Sequence, residues 1–529
     1  MATGHVEVGD RRPPSVSVGD TPRLASWRPT HRGDLLGWLT VAVLAAVTLT
    51  SVVRAFGPMT YRGDIWRQSD TATIAHHFFT NGMNLFYPQI DWGGAGPGYV
   101  ETEFQLVPWL TAGLYHVFGE HPAIGRLLSL VGMLGATAAF WLLARRILPP
   151  LAARWALIAF ALSPAFMTYG SAFMPDATVL AFTLLAFVGF ERWLATDRNR
   201  FLAGATAAAA TAALLKPTAL QLLIVLLVWT LLVDRRRLLR PALIGAAVLA
   251  VVPAALWMWH AHELYLEYGN TFGVLSGGDS KIGGVQFWTS AEFYTGNLGI
   301  ETSLVYGFAA LPLAVVGLWW VLRTRRPVFV FAAVPALVLF YFVTPRYSAA
   351  LGPHYHLFSL PVAAVLVGTG AAAVAAWLVP RVPQVATRVL AVLAVAAMAV
   401  QPALVFAESM RDESGSFGTC ATALDELAGP DDLSIVLTDS LAVDHGAANN
   451  YQEPVIFYLA DRRGWVLAAD QQDPALVHAY EHQGAQYLVS HDSALISPDG
   501  ALAASLERGA VQVTTQASAG CDIWRLPPA

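Results

Sequence analysis

Long apolar runs alternate with short polar connections over the first four-fifths of the chain. Runs able to cross a hydrocarbon core of roughly 30 Å fall near 35–53, 123–144, 152–170, 177–194, 201–215, 218–233, 241–259, 304–322, 328–344, 357–379 and 388–406, about eleven in all. The stretch 105–118 (QLVPWLTAGLYHVF) is apolar but short, and is expected to lie in the membrane interface. Residues 66–82 (WRQSDTATIAHHFFTNG) place Ile74, Ala75, Phe78 and Phe79 on one side of a helix. Asp70, Thr73, His76, His77 and Thr80 fall on the other. That pattern predicts a second interfacial helix, with Ser69 as its N-cap and Asp70 in its first turn. There the helix dipole would favour the ionised carboxylate.

After residue 406 the pattern changes. The runs 432–438 (DLSIVLT) and 485–490 (AQYLVS) read as strands, and segments near 474–483 and 501–508 as helices. Residues 407–529 are therefore expected to form a small α/β domain. At the other end, 1–34 is polar, with Arg11, Arg12, Arg23, Arg28, Arg32 and several prolines. It is expected to be a disordered cytoplasmic tail and not a signal peptide. The core domain spans 35–406.

Composition agrees with a multi-pass α-helical membrane protein. Of 529 residues, 55% are hydrophobic and 13% charged, and the mean hydropathy is +0.50. The net charge of -5 matters less than where the charges sit. With the N-terminus in the cytoplasm, five arginine groups all fall inside. These are Arg145, Arg146 and Arg154; Arg198 and Arg200; Arg235 to Arg237 with Arg240; Arg323, Arg325 and Arg326; and Arg381 with Arg388. This needs a helix break near Lys216-Pro217, because one long helix over 201–233 would invert everything after it. The frame places 54–122, 260–303 and 407–529 outside a plasma membrane. Cys420 and Cys521, the only cysteines, then sit in an oxidising compartment. A disulfide between them would close a loop of about 100 residues; two free buried thiols are the alternative. No spacing suggests zinc.

Polar groups gather at the outer ends of the spans. Glu101 and Glu103 follow a glycine-rich loop, Asp176 stands in FMPDA, Lys216 in LLKPT, and Arg346, His354 and Tyr355 in PRYSAALGPHYH. Ionisable groups at membrane depth are costly and usually functional. Acids beside cations on one face suit proton abstraction next to an anionic leaving group. Singly, each has a simpler explanation: Asp176 as a helix cap, Arg126 as a snorkelling side chain.

The ordered set of Asp70, ETEFQLVPWLTAGLYHVFG, GRLLS, LARRI, FMPDA, LLKPT and PHYHLFSLPV resembles the GT-C class of membrane glycosyltransferases. It is similar to the branch of protein O-mannosyltransferases and lipid A aminoarabinose transferases, over roughly residues 35–400. The resemblance implies transfer of a sugar from a polyprenyl-phosphate donor to a lipid, glycan or protein acceptor at the outer face, with inversion. It implies Asp70 as general base and Asp176 as a second, supporting acid. It implies Lys216, His354 and Tyr355 as donor or phosphate contacts, and Arg346, in the same outer connection, is expected to join them. Glu101, Glu103 and His77 are expected to support the acceptor side. Protein O-mannosyltransferases carry two adjacent acids in the first loop; here Thr71 follows Asp70, which weakens the case for protein mannosylation. No cofactor is demanded, although paired acids in some membrane glycosyltransferases hold a divalent metal. No nucleic-acid partner is expected. The main rival is a transporter or flippase of a lipid-linked saccharide, for which one helix break, at 215–217, but no convincing repeat is present.

Overall fold

The computed structural model describes residues 33–59, 65–276, 281, 285–411, 414–444, 446–513 and 520–528. The expected tail 1–34 lies almost wholly outside the described residues. Among the described residues, seven helices are long and apolar enough to cross a membrane: Leu35–Ala55, Pro122–Ile147, Asp176–Thr196, Pro217–Leu239, Pro241–Tyr268, Leu360–Leu378 and Gln384–Ser409. An eighth candidate is the pair Ala291–Tyr306 and Phe308–Thr324, bent by 86°. The chain is a multi-pass helical membrane protein. The remaining expected spans, 152–170, 201–215 and 328–344, fall on shorter helices. The first is split into Pro150–Ala161 and Pro164–Tyr169 at Ser163-Pro164.

The helices pack through small residues. A Cβ on Gly317 would lie 1.9 Å from the Leu366 carbonyl oxygen, and one on Gly370 would lie 1.8 Å from that of Leu313. Only glycine lets Leu311–Thr324 and Leu360–Leu378 approach this closely, backbone to backbone. The break at Lys216 has a local cause. Lys216 precedes Pro217, which disfavours helical backbone at that position, and it adopts φ -157° and ψ 110°. Pro217 then opens the next helical turn, where its missing N–H costs nothing.

The C-terminal residues form a five-stranded sheet in the order Arg463–Leu467, Leu433–Leu437, Ala485–Ser490, Asp522–Arg525, Val511–Gln512. The first three strands are parallel and the last two pairings antiparallel. Leu433–Leu437 is buried throughout, as suits a central strand covered on both faces. Helices Pro474–Glu481 and Ala501–Gly509 cover the sheet near the positions read from sequence. Cys420 and Cys521 are bonded, tying helix Gly415–Leu427 to the start of strand Asp522–Arg525.

This layer docks on the bundle through main chain. Gly94 N–H donates to Gly464 O at 2.7 Å, and Gly464 N–H donates to Asp91 O at 2.9 Å. Gly94 has φ +73°, and a Cβ there would meet the Trp465 indole at 2.4 Å.

The 66–82 segment departs from its expected setting. Its helix runs Ile65–Thr80, so Ser69 is inside it and is not a cap. Every residue from Gln68 to Ala75 is buried. Ile74 and Phe78 share one core with Ala112 of helix Leu106–Phe118 and with Ile456 and Phe457 of helix Val455–Ala460. The C-terminal layer packs on the apolar side, and on the polar side Asp70, Thr73 and His77 meet Trp92 and Asp91 of the following loop, while Thr80 stays exposed.

Candidate active site

At one end of the bundle a cavity of about 1150 Å³ is shared by Asp70, Glu103, Lys216, His354 and Tyr355. Residues from four separate stretches of the chain thus meet in one space. Leu220, Ile224, Leu339, Val343 and Val405 add apolar lining to the same cavity.

Asp70 projects from the second turn of its helix, 3% exposed. The Trp92 indole N–H donates to its Oδ1 at 3.2 Å. Burial pushes its pKa up to about 8, against the lowering pull of Arg67 and the Trp92 hydrogen bond, with Glu453 and Glu103 adding a smaller upward push. The helix dipole does not set the ionisation of this group as position in sequence suggested; desolvation does. Glu103 behaves oppositely. Burial works against its charge, but Arg67, Lys216 and Lys281 overcome that and hold it down at about 2. Arg67 is ion-paired directly to Glu103 and lies over the Phe272 ring, 5.2 Å from its centroid.

Lys216 is presented by the helix break. Its Nζ donates to Asp176 Oδ1 at 2.6 Å and lies 5.1 Å from the Tyr355 ring centroid. Asp176 therefore stands behind Lys216 and does not line the cavity. Its Oδ2 is buried without a hydrogen-bond partner among the described residues. His354 packs edge-on against Tyr169, and burial together with Lys216 and Arg67 drives its pKa well down, leaving a neutral imidazole.

Three expected site residues do other work. Arg346 donates to Asp444 Oδ2 at 2.7 Å and to Asn449 Oδ1 at 3.2 Å, both in the C-terminal layer. Glu101 Oε1 accepts from the backbone N–H groups of Leu275 and Ser276 at 2.8 and 3.1 Å, fixing the second large loop. His77 Nε2 lies 2.7 Å from Asp91 Oδ1. Arg126 is buried and donates to the carbonyls of Gly57, Pro58 and Ser171, so it braces loops and does not snorkel. Among the described residues, no three His, Cys, Asp or Glu side chains converge as a metal-binding group.

Residues 105–259 match a family model described as dolichyl-phosphate-mannose-protein mannosyltransferase. Asp176 and Lys216 lie inside that match; Asp70 and Glu103 lie before it. No curated protein matches the chain in sequence. Among solved structures, the chain is similar to ArnT from Cupriavidus metallidurans bound to undecaprenyl phosphate. The TM-score is 0.62 at 16% identity, over 92% of this chain and 98% of that one. It is also similar to the oligosaccharyltransferase AglB from Archaeoglobus fulgidus, in complex with an inhibitory peptide and a dolichol-phosphate. There the TM-score is 0.53 at 13% identity, over 93% of this chain and 74% of that one. The chain is similar in fold to GT-C class membrane glycosyltransferases.

Several residues of the cavity are not among those the sequence points to: Trp66, Arg67, Gln221, Lys281, Tyr347 and Asn450. Arg67 was within reach, since it stands one turn before Asp70 on the same helix. Lys281 and Asn450 come from distant loops, and only tertiary contact brings them in.

Proposed function

We propose that this enzyme transfers a sugar from a polyprenyl-phosphate donor to an acceptor hydroxyl, with inversion, and that Asp70 is the base. The observation that carries the reading is the mixed lining of the cavity. Arg67, Lys216 and Lys281 share it with apolar side chains such as Ile224, Val343 and Val405, which suits a phosphate attached to a long isoprenoid. The neighbours' ligands, undecaprenyl phosphate and dolichol-phosphate, belong to the same chemical class.

In this mechanism the acceptor hydroxyl oxygen attacks the anomeric carbon while its proton passes to the Asp70 carboxylate. The bond from that carbon to the phosphate oxygen breaks on the opposite side, and its electron pair leaves with the polyprenyl phosphate. One displacement inverts the centre. Lys216, Lys281 and Arg67 offset the charge that grows on the leaving phosphate. Asp176 keeps the Lys216 ammonium aimed. A carboxyl with a pKa about 8 is a stronger base once ionised than an exposed aspartate.

We also read the shorter helices at 152–170, 201–215 and 328–344 as spans, giving about eleven. The arginine pattern supports a cytoplasmic N-terminus, with the site and residues 407–529 outside the plasma membrane as an extracytoplasmic domain. The test is to incubate purified enzyme with radiolabelled polyprenyl-phosphate sugars and membrane lipid or glycan acceptors. Labelled product with equal release of polyprenyl phosphate is expected. Sugar-lipid that crosses a vesicle bilayer intact, with none cleaved, would overturn the reading.

A further inference from the structure

Away from the cavity, the surface of the C-terminal layer carries two histidines one helical turn apart. His478 lies in helix Pro474–Glu481, and His482 caps that helix with its backbone still helical. The His482 N–H donates to His478 O at 3.1 Å, so the turn joining them is closed and both imidazoles leave the same face. The helix is seated on the sheet, with Val477 buried and Tyr480 stacked on Trp465 at 4.9 Å between ring centroids. Both histidines are exposed. Their Nε2 atoms stand 3.2 Å apart.

Two nitrogens bound to one metal ion at about 2.0–2.1 Å lie about 2.9 Å apart at a right angle and about 3.3 Å apart at the tetrahedral angle. The separation here falls between those values. Glu481 supplies the orientation such a ligand needs. Its Oε2 lies 2.8 Å from His478 Nδ1, and its side chain is only 11% exposed. An ionised carboxylate only accepts, so the Nδ1 proton sits in that bond and the Nε2 lone pair of His478 is left free. Without metal, His482 Nε2–H donates to that lone pair. On binding, His482 carries its proton on Nδ1 instead, exchanged through water, and both Nε2 atoms face the ion. Among the described residues no third protein ligand converges, so water fills the other positions. Imidazole nitrogens suit late divalent first-row metals, whereas Mg2+ and Ca2+ require oxygen. We propose that His478 and His482 chelate one divalent transition-metal ion, Cu2+ more tightly than Ni2+ or Zn2+, with Glu481 as the orienting group. The site is separate from the proposed sugar transfer, since none of the three side chains lines the cavity.

The test uses the full-length protein, purified in detergent without a histidine tag and stripped with chelator. Cu2+, Zn2+ and Mg2+ are titrated by calorimetry into wild type, His478→Ala, His482→Ala and Glu481→Gln. Wild type is expected to bind one Cu2+ or Zn2+, with Cu2+ the tighter, and no Mg2+. Loss of an orienting carboxylate weakens metal binding about 10–100-fold, so Glu481→Gln should fall in that range and each histidine variant should lose more than about tenfold. Thermal unfolding separates a lost ligand from a lost fold. Without metal, His482→Ala should unfold as wild type does, because the position is an exposed cap. Saturating Zn2+ should raise the unfolding temperature of wild type and of neither histidine variant. Wild type that binds no Cu2+, or an ion held as tightly in either histidine variant, would overturn the proposal. Unchanged affinity in Glu481→Gln would overturn the orienting role.

Discussion

Lys216 donates to Asp176 at 2.6 Å, from the break between two helices to the first turn of a third. Both side chains are buried, so each is the other's main compensation. Removing one partner of such a pair costs roughly 3–5 kcal/mol, because the survivor is left buried and unpaired.

Lys216→Met is therefore expected to lower stability by that order. Adding Asp176→Asn should recover much of it, while sugar transfer stays lost in both. Thermal unfolding and transfer rates of the single and double variants check this. Transfer that returns with stability would show that the ammonium only fills space.

Arg346 gives a second contrast. Sequence placed it among the donor contacts, but its guanidinium is engaged by Asp444 and Asn449. Arg346→Ala is expected to leave polyprenyl phosphate affinity within about twofold, while protease cleavage within 440–453 becomes faster as local opening grows easier. Loss of phosphate affinity with unchanged cleavage would return Arg346 to the donor site.

The cysteine chemistry offers a topology test free of background, since both native thiols are bonded. Asp431 is exposed. Asp431→Cys is expected to react with a membrane-impermeant maleimide in intact cells. Reaction only after the inner membrane is opened would invert the orientation.

The same bond should stabilise the C-terminal layer. It spans 101 residues, and the chain-entropy model assigns a loop of that size about 4.7 kcal/mol at most. Cys521→Ser is expected to lower the layer's unfolding temperature, and reductant should have no further effect on that variant. An unchanged unfolding temperature would show that the bond adds nothing to the folded state.

Much of this architecture was legible in the residues themselves. Local rules place the Lys216-Pro217 break, the apolar strand Leu433–Leu437 and the strand Ala485–Ser490 where the structure has them. The set Asp70, Glu103, Lys216, His354 and Tyr355 was also recoverable as polar groups stranded at helix ends. What escaped depends on long-range packing. The wheel of Ile65–Thr80 has a polar side that reads as wet, and nothing local shows that Trp92 and Asp91 fold back against it. For the same reason Asp70 was given a low pKa from its place in the helix, when burial raises it. Arg346 looked like a phosphate ligand because its partner, Asp444, lies 98 residues away.

The role of Asp70 rests on its being a buried base that must lose a proton before it can take one from the acceptor. Its ionised fraction in the free enzyme grows as pH rises through about 8, and kcat/KM reports the free enzyme. The decisive measurement is kcat/KM for transfer from a polyprenyl-phosphate sugar between pH 5.5 and 10, in wild type and Asp70→Asn. Wild type should climb tenfold per pH unit and level off near pH 8, and Asp70→Asn should be lower by about 10²–10⁴-fold at the plateau with that limb gone. An Asp70→Asn enzyme with near-native transfer, or one that keeps the same ascending limb, would contradict the assignment of Asp70 as the base.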